Sequence, residues 1–191
     1  MNRSQRIFIA VKIDPENNLL RLHSSLKALL GSEKINWVDP SNIHLTLAFL
    51  GDTEEERIKV AAIMLKQKCS GFGEFNFSLS GAGVFKDFRD PRVIWIGIKN
   101  PEKLVELHDT IRTGLEDTGF QTDDRPFRPH ITIGRIKFIR NIEALKNTIE
   151  RYRDTEIQKV IASEVILYES ILKPSGPVYK PAGIFNLRGN G

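Results

Sequence analysis

The chain of 191 residues holds one cysteine, two methionines and two tryptophans. The lone Cys69 excludes an intrachain disulfide and any multi-cysteine metal cluster. Long apolar runs are missing too. Ile7 to Val11, the longest near the N-terminus, is far too short to span a bilayer, lacks a cleavage pattern, and is broken by Lys12. Neither sign of charge dominates: 28 basic against 24 acidic residues leave a net charge of +4. That balance permits an anionic partner without demanding one. Four histidines, with no close cluster among them, offer little to a metal, so no cofactor is expected. What is present is ordinary: 40% hydrophobic and 27% charged residues exclude a disordered or fibrous chain. The length suits one large domain or two small lobes with a real core. A cytoplasmic protein with no membrane contact and no obligate protein partner is the expectation.

The chain repeats itself, and repeats decide the fold. Shifted by 85, Leu19–Leu30 lies over Leu104–Leu115 with four of twelve positions identical and four conservative. Just before them, Phe8–Ile13 lies over Val93–Ile98. With the shift at 86, His44-Leu45-Thr46-Leu47 lies over His130-Ile131-Thr132-Ile133. Three matches in one order point to two equivalent halves within a single unit over residues 1–191.

Periodicity predicts strands at Ile7–Ile13, Ile43–Leu50, Phe75–Ser80, Val93–Ile98, His130–Ile136, Val160–Tyr168 and Val178–Leu187. It predicts helices at Glu16–Leu30, Thr53–Lys68, Pro101–Asp117 and Ile142–Tyr152. Thr53, with Glu56 three residues on, reads as a capping box. Lys86–Arg92 and Pro174–Pro177 read as loops, Gly81-Ala82-Gly83 as a strand bend, and the tail 188–191 as loose. Single helices between paired strands favour an α+β fold: two pseudo-symmetric lobes of mostly antiparallel sheet, helices outside, a central cleft between.

Strand alternation puts His44 and Thr46 on one face and Leu45 and Leu47 on the other; His130 and Thr132 oppose Ile131 and Ile133 in the same way. Each strand therefore offers a core face and a face with an imidazole beside a hydroxyl. Under pseudo-twofold symmetry those polar faces meet across the cleft. Two of four histidines each carrying Thr at +2, with nine threonines in the chain, is roughly a one-in-a-hundred coincidence. Imidazoles titrate near neutrality, so one can accept a proton while the other donates one. Threonine hydroxyls can donate to phosphoryl oxygens. The pattern suits in-line displacement at a phosphodiester without a metal.

These two motifs resemble those of the two-histidine phosphoesterase superfamily, and more narrowly the RNA 2′,3′-cyclic phosphodiesterase (2′-5′ RNA ligase-like) family. Arg6–Ala10, Ile43–Gly51, Pro91–Trp95, Arg125–Arg135 and Gly176–Tyr179 share the resemblance, which covers nearly the whole chain. It implies a bilobal fold and opening of a terminal 2′,3′-cyclic phosphate on RNA ends or cyclic nucleotides to a 2′-phosphomonoester. It implies His130 as proton acceptor and His44 as proton donor. Ligation by the reverse reaction, or an RNA- or nucleotide-binding module without turnover, are the rival readings.

Arg125, Arg128, Arg135, Lys137 and Arg140 form a run free of acidic residues, read as support for a polyanion. That local charge is expected to lower the pKa of His130 more than that of His44, which sits in an uncharged stretch, and so to make His130 the base. Alternation puts Arg128 on the cleft face. It turns Arg135 away unless Gly134 hosts a bulge. Phe49 is its counterpart in the first half, and the two are candidates to sandwich a nucleobase. His23 and His108 match each other but sit in apolar helix patterns and read as structural or surface histidines. Trp37, Trp95 and Cys69 read as packing residues.

Overall fold

The computed structural model describes residues 4–174, 176–187 and 189. Along the chain run β1 (Ser4–Lys12), α1 (Asn17–Leu29), β2 (Lys34–Trp37), a 3₁₀ turn at Pro40–Asn42, β3 (His44–Glu54), α2 (Glu55–Cys69), β4 (Phe75–Phe85), β5 (Val93–Lys99), α3 (Glu102–Asp117), β6 (His130–Phe138), α4 (Ile142–Glu150), β7 (Glu156–Ala162), β8 (Glu164–Lys173) and β9 (Gly176–Asn186). The fold is α+β. The strands run β7-β4-β5-β6-β3-β1-β8-β9, with β2 also on β6. Every pairing among the described residues is antiparallel.

Two lobes meet at β3 and β6, whose ladder among the described residues is the single register pair Leu45 with Ile131. On one side β3 pairs β1; on the other β6 pairs β5. The strands that carry the His-x-Thr motifs are thus the two innermost strands, and the cleft opens where their ladder stops. Leu45, Leu47, Ile131 and Ile133 all face the core, at most 4% exposed, with the leucines of α1 and α3. Burying side chains of this size gives each roughly 1.5–3 kcal/mol. That burial fixes the register of each motif strand, because a one-residue slip would send the apolar set to the cleft.

β1 is buried on both faces, which its unbroken apolar run allows. Ile7, Ile9 and Val11 join the main core, while Phe8 and Ala10 meet Ile166 and Tyr168 in a second, smaller cluster on the cleft side. The prolines of β9, Pro177 and Pro181, sit in an edge strand, where a missing N–H costs no ladder bond. No helix among the described residues is long and apolar enough to cross a membrane.

Several elements differ from expectation. Thr53 does not cap α2. It ends inside β3, its hydroxyl donating to the carbonyls of Leu50 and Gly51, and α2 starts at Glu55 with no side-chain cap. The single strand expected over Val160–Tyr168 is two, β7 and β8, which pair with different lobes. The chain crosses between lobes at Ser163, whose carbonyl accepts from the Leu187 amide at 2.8 Å. β4 continues past the glycines to Phe85, absorbing them as a bend: Gly81 has φ +71° and the register slips between Ser80 and Ala82. Four-residue β2 is too short to leave a period in the sequence. Of the Pro174–Pro177 loop, Ser175 lies outside the described residues, as do Arg188, Asn190 and Gly191 of the tail.

Candidate active site

Each motif histidine enters its strand from a coil, and each is locked in the same way. His44 Nδ1 lies 2.7 Å from the Asn42 carbonyl oxygen, and His130 Nδ1 lies 2.7 Å from that of Arg128. A carbonyl only accepts, so Nδ1 must carry the proton in both rings. Nε2 is left as the working nitrogen, a base when neutral and an acid when protonated. The carbonyl two residues before each histidine is a site component that motif reading did not supply.

The surroundings of the two rings differ. His44 stands among aromatic rings, with Phe8 at 5.0 Å tilted and Tyr179 at 5.1 Å edge-on. His130 takes the edge of Phe85 at 4.8 Å, and Phe85 in turn packs on Trp95 at 5.3 Å. Gly83 makes room for that indole, since a Cβ there would collide with its ring; a Cβ at Gly97 would press on the ring and collide with the Ser80 carbonyl oxygen.

Burial pushes both imidazoles below their ordinary pKa, and the carbonyl bonds to Asn42 and Arg128 oppose the push. The Arg135 guanidinium lowers both, and His130 lowers His44 slightly further. The expectation that the cationic run lowers His130 more than His44 therefore finds no support, since Arg135 lowers both. Arg135 is shared across the cleft, and Arg125 is neutralised by Asp123, with Nε at 2.9 Å from Oδ1. Local charge therefore gives no ground for choosing His130 as the base.

Arg135 reaches the cleft because of a bulge. Along β6 the partners on β5 step from Trp95↔Thr132 to Ile94↔Gly134, so Ile133 is extra. The buried positions shift from Ile131 and Ile133 to Gly134 and Ile136, and Arg135 emerges on the side of His130 and Thr132. β3 does the same: Ala10↔Thr46 steps to Ile9↔Ala48, with Leu47 extra. Phe49 then emerges at 67% exposure. The two bulges stand 86 residues apart, as the two histidines do.

A cavity of about 660 Å³ opens beside His130, lined also by Thr46, Phe49, Phe85 and Arg128. A smaller one of about 300 Å³ lies on the far side of His44, walled by Asn42, Tyr168 and Tyr179. Thr132 and Arg135 line neither cavity. Among the described residues, the hydroxyls of Thr46 and Thr132 and the guanidinium groups of Arg128 and Arg135 have no hydrogen-bond or ion-pair partner. His23 is structural as expected: it is buried, Nε2 lies 2.8 Å from the Val38 carbonyl oxygen, and its ring meets Trp37 edge-on. No group of three or more His, Cys, Asp or Glu side chains among the described residues could hold a metal ion.

Two similar lobes with an imidazole and a hydroxyl on each inner strand are the arrangement to set beside known phosphoesterases. The model of the LigT-like phosphoesterase family matches the chain twice, over residues 11–95 and 96–179, and the chain belongs to that family. A Methanothermobacter thermautotrophicus protein named RNA 2′,3′-cyclic phosphodiesterase is 33% identical over 95% of this chain and 98% of its own. One of the same name from Methanocaldococcus jannaschii is 36% identical over 92% of this chain and 96% of its own. Among solved structures, one from Thermus thermophilus aligns with a TM-score of 0.81 at 28% identity, covering 97% of this chain and all of that one. Escherichia coli LigT, crystallised with 3′-AMP, shares the fold at a TM-score of 0.72 and 24% identity, covering 96% and 98% of the two chains.

Proposed function

We infer that this protein is an RNA 2′,3′-cyclic phosphodiesterase, opening a terminal cyclic phosphate to leave a 2′-phosphomonoester. The observation that carries the reading is the matched pair of imidazoles, each with Nδ1 held by a carbonyl and Nε2 free. The relatives of that name match over nearly their full length.

Water attacks phosphorus as a neutral Nε2 takes its proton. The P–O3′ bond breaks as the other, protonated Nε2 delivers a proton to O3′. One proton is taken up, one is given, and the product carries a 2′-phosphate and a 3′-hydroxyl. Thr46 and Thr132, with free hydroxyls, donate to the non-bridging oxygens, and Arg135 offsets their charge. Arg128 meets the nucleotide backbone and Phe49 offers a face to the base. No step calls for a metal. We assign His130 as base and His44 as acid. That pairing rests on the resemblance of the motifs, since Arg135 lowers the pKa of both rings. The two halves, related by about 85 residues, work as one unit, acting on RNA ends or cyclic nucleotides in the cytoplasm.

His44→Ala and His130→Ala should each cost about 10²–10⁴ in rate on a nucleoside cyclic phosphate. With an activated 3′ leaving group, which departs without protonation, His44→Ala should recover much of that loss and His130→Ala should not. Recovery of His130→Ala instead would reverse the pairing, and near-wild-type activity of either variant would end the two-histidine mechanism.

A further inference from the structure

The larger cavity extends well past the reacting groups. His130 and Thr46 stand at one end; the other is walled by α3 and the coil that follows it, through His108, Arg112, Thr122, Arg125 and Phe127. His108 and Phe127 are stacked face to face, their centroids 4.0 Å apart and their planes 3° from parallel. The repeat makes His108 the counterpart of His23, yet the two are used differently. His23 is closed off in the core, held by the Val38 carbonyl and covered by Trp37. The chain after α1 forms β2 and fills the space against β6, whereas the chain after α3 stays open as coil up to Pro129. The broken symmetry leaves an aromatic wall on one side only.

Charge decides what that wall receives. Arg112 is held by Glu116 at 2.9 Å, and Arg125 is clamped by Asp123. Thr122 spends its hydroxyl on Glu116 at 2.6 Å. His108 Nδ1 lies 2.9 Å from Asp109 Oδ1. The far wall is therefore aromatic with its cations paired, suited to a base and poorly suited to a phosphate. Arg128, between the wall and His130, has no such partner among the described residues. We propose that the far end of this cavity is a subsite for the second nucleotide of a single-stranded RNA end: its base lies on the His108–Phe127 pair, and the phosphodiester joining it to the terminal nucleotide faces Arg128. The proposal rests on the cyclic phosphodiesterase reading and adds that the enzyme prefers oligonucleotide ends to free cyclic nucleotides.

The test compares kcat/KM for a mononucleoside 2′,3′-cyclic phosphate with that for a dinucleotide ending in the same group. The wild-type protein should favour the dinucleotide by about tenfold or more, in line with one added base–aromatic contact. Phe127→Leu keeps the bulk and removes the ring; it should bring the ratio close to one, mainly through a raised KM for the dinucleotide. His108→Ala should lower the ratio in the same direction. Equal loss on both substrates would make the ring pair merely structural and overturn the subsite, as would a wild-type ratio near one. Turnover of the mononucleotide without preference sinks this inference alone; turnover of neither sinks the underlying reading with it.

Discussion

At the scale of single residues, Arg135 couples the two halves of the chemistry. It lies five positions after His130, out of phase for the cleft by simple alternation, yet its charge depresses both imidazoles. Removing a cation that disfavours protonation raises a pKa. Arg135→Gln should therefore move both limbs of the kcat/KM pH profile to higher pH, since that profile reports the free enzyme's acid and base. Movement of only one limb would mean that Arg135 serves only one histidine. Phe49 makes the complementary case. At 67% exposure it contributes little to the core, so Phe49→Ala should leave stability within about 0.5 kcal/mol. It should weaken nucleotide product binding by about 1–3 kcal/mol, measured by calorimetric titration; an unchanged dissociation constant would remove it from the site. The histidines and threonines were legible in the sequence because alternation is local. The Asn42 and Arg128 carbonyls were not, because any residue supplies one. The charge argument for His130 missed the reach of Arg135 to His44 because neighbours in sequence stood in for neighbours in space.

At the scale of elements, the bulges at Leu47 and Ile133 set the site as much as the motifs do. Each adds one residue to a strand whose apolar face is already buried, and so reverses the phase beyond it. Gly134 hinted at the one in β6, whereas in β3 the sequence Leu47-Ala48-Phe49-Leu50 reads as an unbroken apolar strand. β2 and the division of β7 from β8 escaped for a related reason: strand pairing over long separations leaves no local period. Trp95, Phe85 and His130 form a relay of packed rings across three strands, seated on Gly83 and Gly97. Gly83→Ala drives a methyl into the indole and should cost about 1–3 kcal/mol of stability, the usual range for overpacking. It should lower kcat, because the shift passes through Phe85 to His130, and raise KM as well, because both rings line the cavity. An unaltered melting temperature would show that the indole is free to move.

At the scale of the molecule, β3 and β6 meet at the register pair Leu45–Ile131 and bring His44 and His130, from opposite halves of the chain, within reach of the same Arg135 charge. The architecture was readable because the repeat announced it: strand, helix and motif recur in the same order. The one-sided cavity was not, since it depends on what the chain does after α1 and after α3, where the halves part company. The most direct test of the account follows from its chemistry. A short RNA ending in a 2′,3′-cyclic phosphate is incubated with the protein in excess EDTA, and the new end is identified by its response to phosphatase and by comparison with authentic 2′- and 3′-phosphate ends. The account predicts full turnover to a 2′-phosphomonoester. A 3′-phosphate product, or activity abolished by the chelator and restored by a divalent metal, would contradict it.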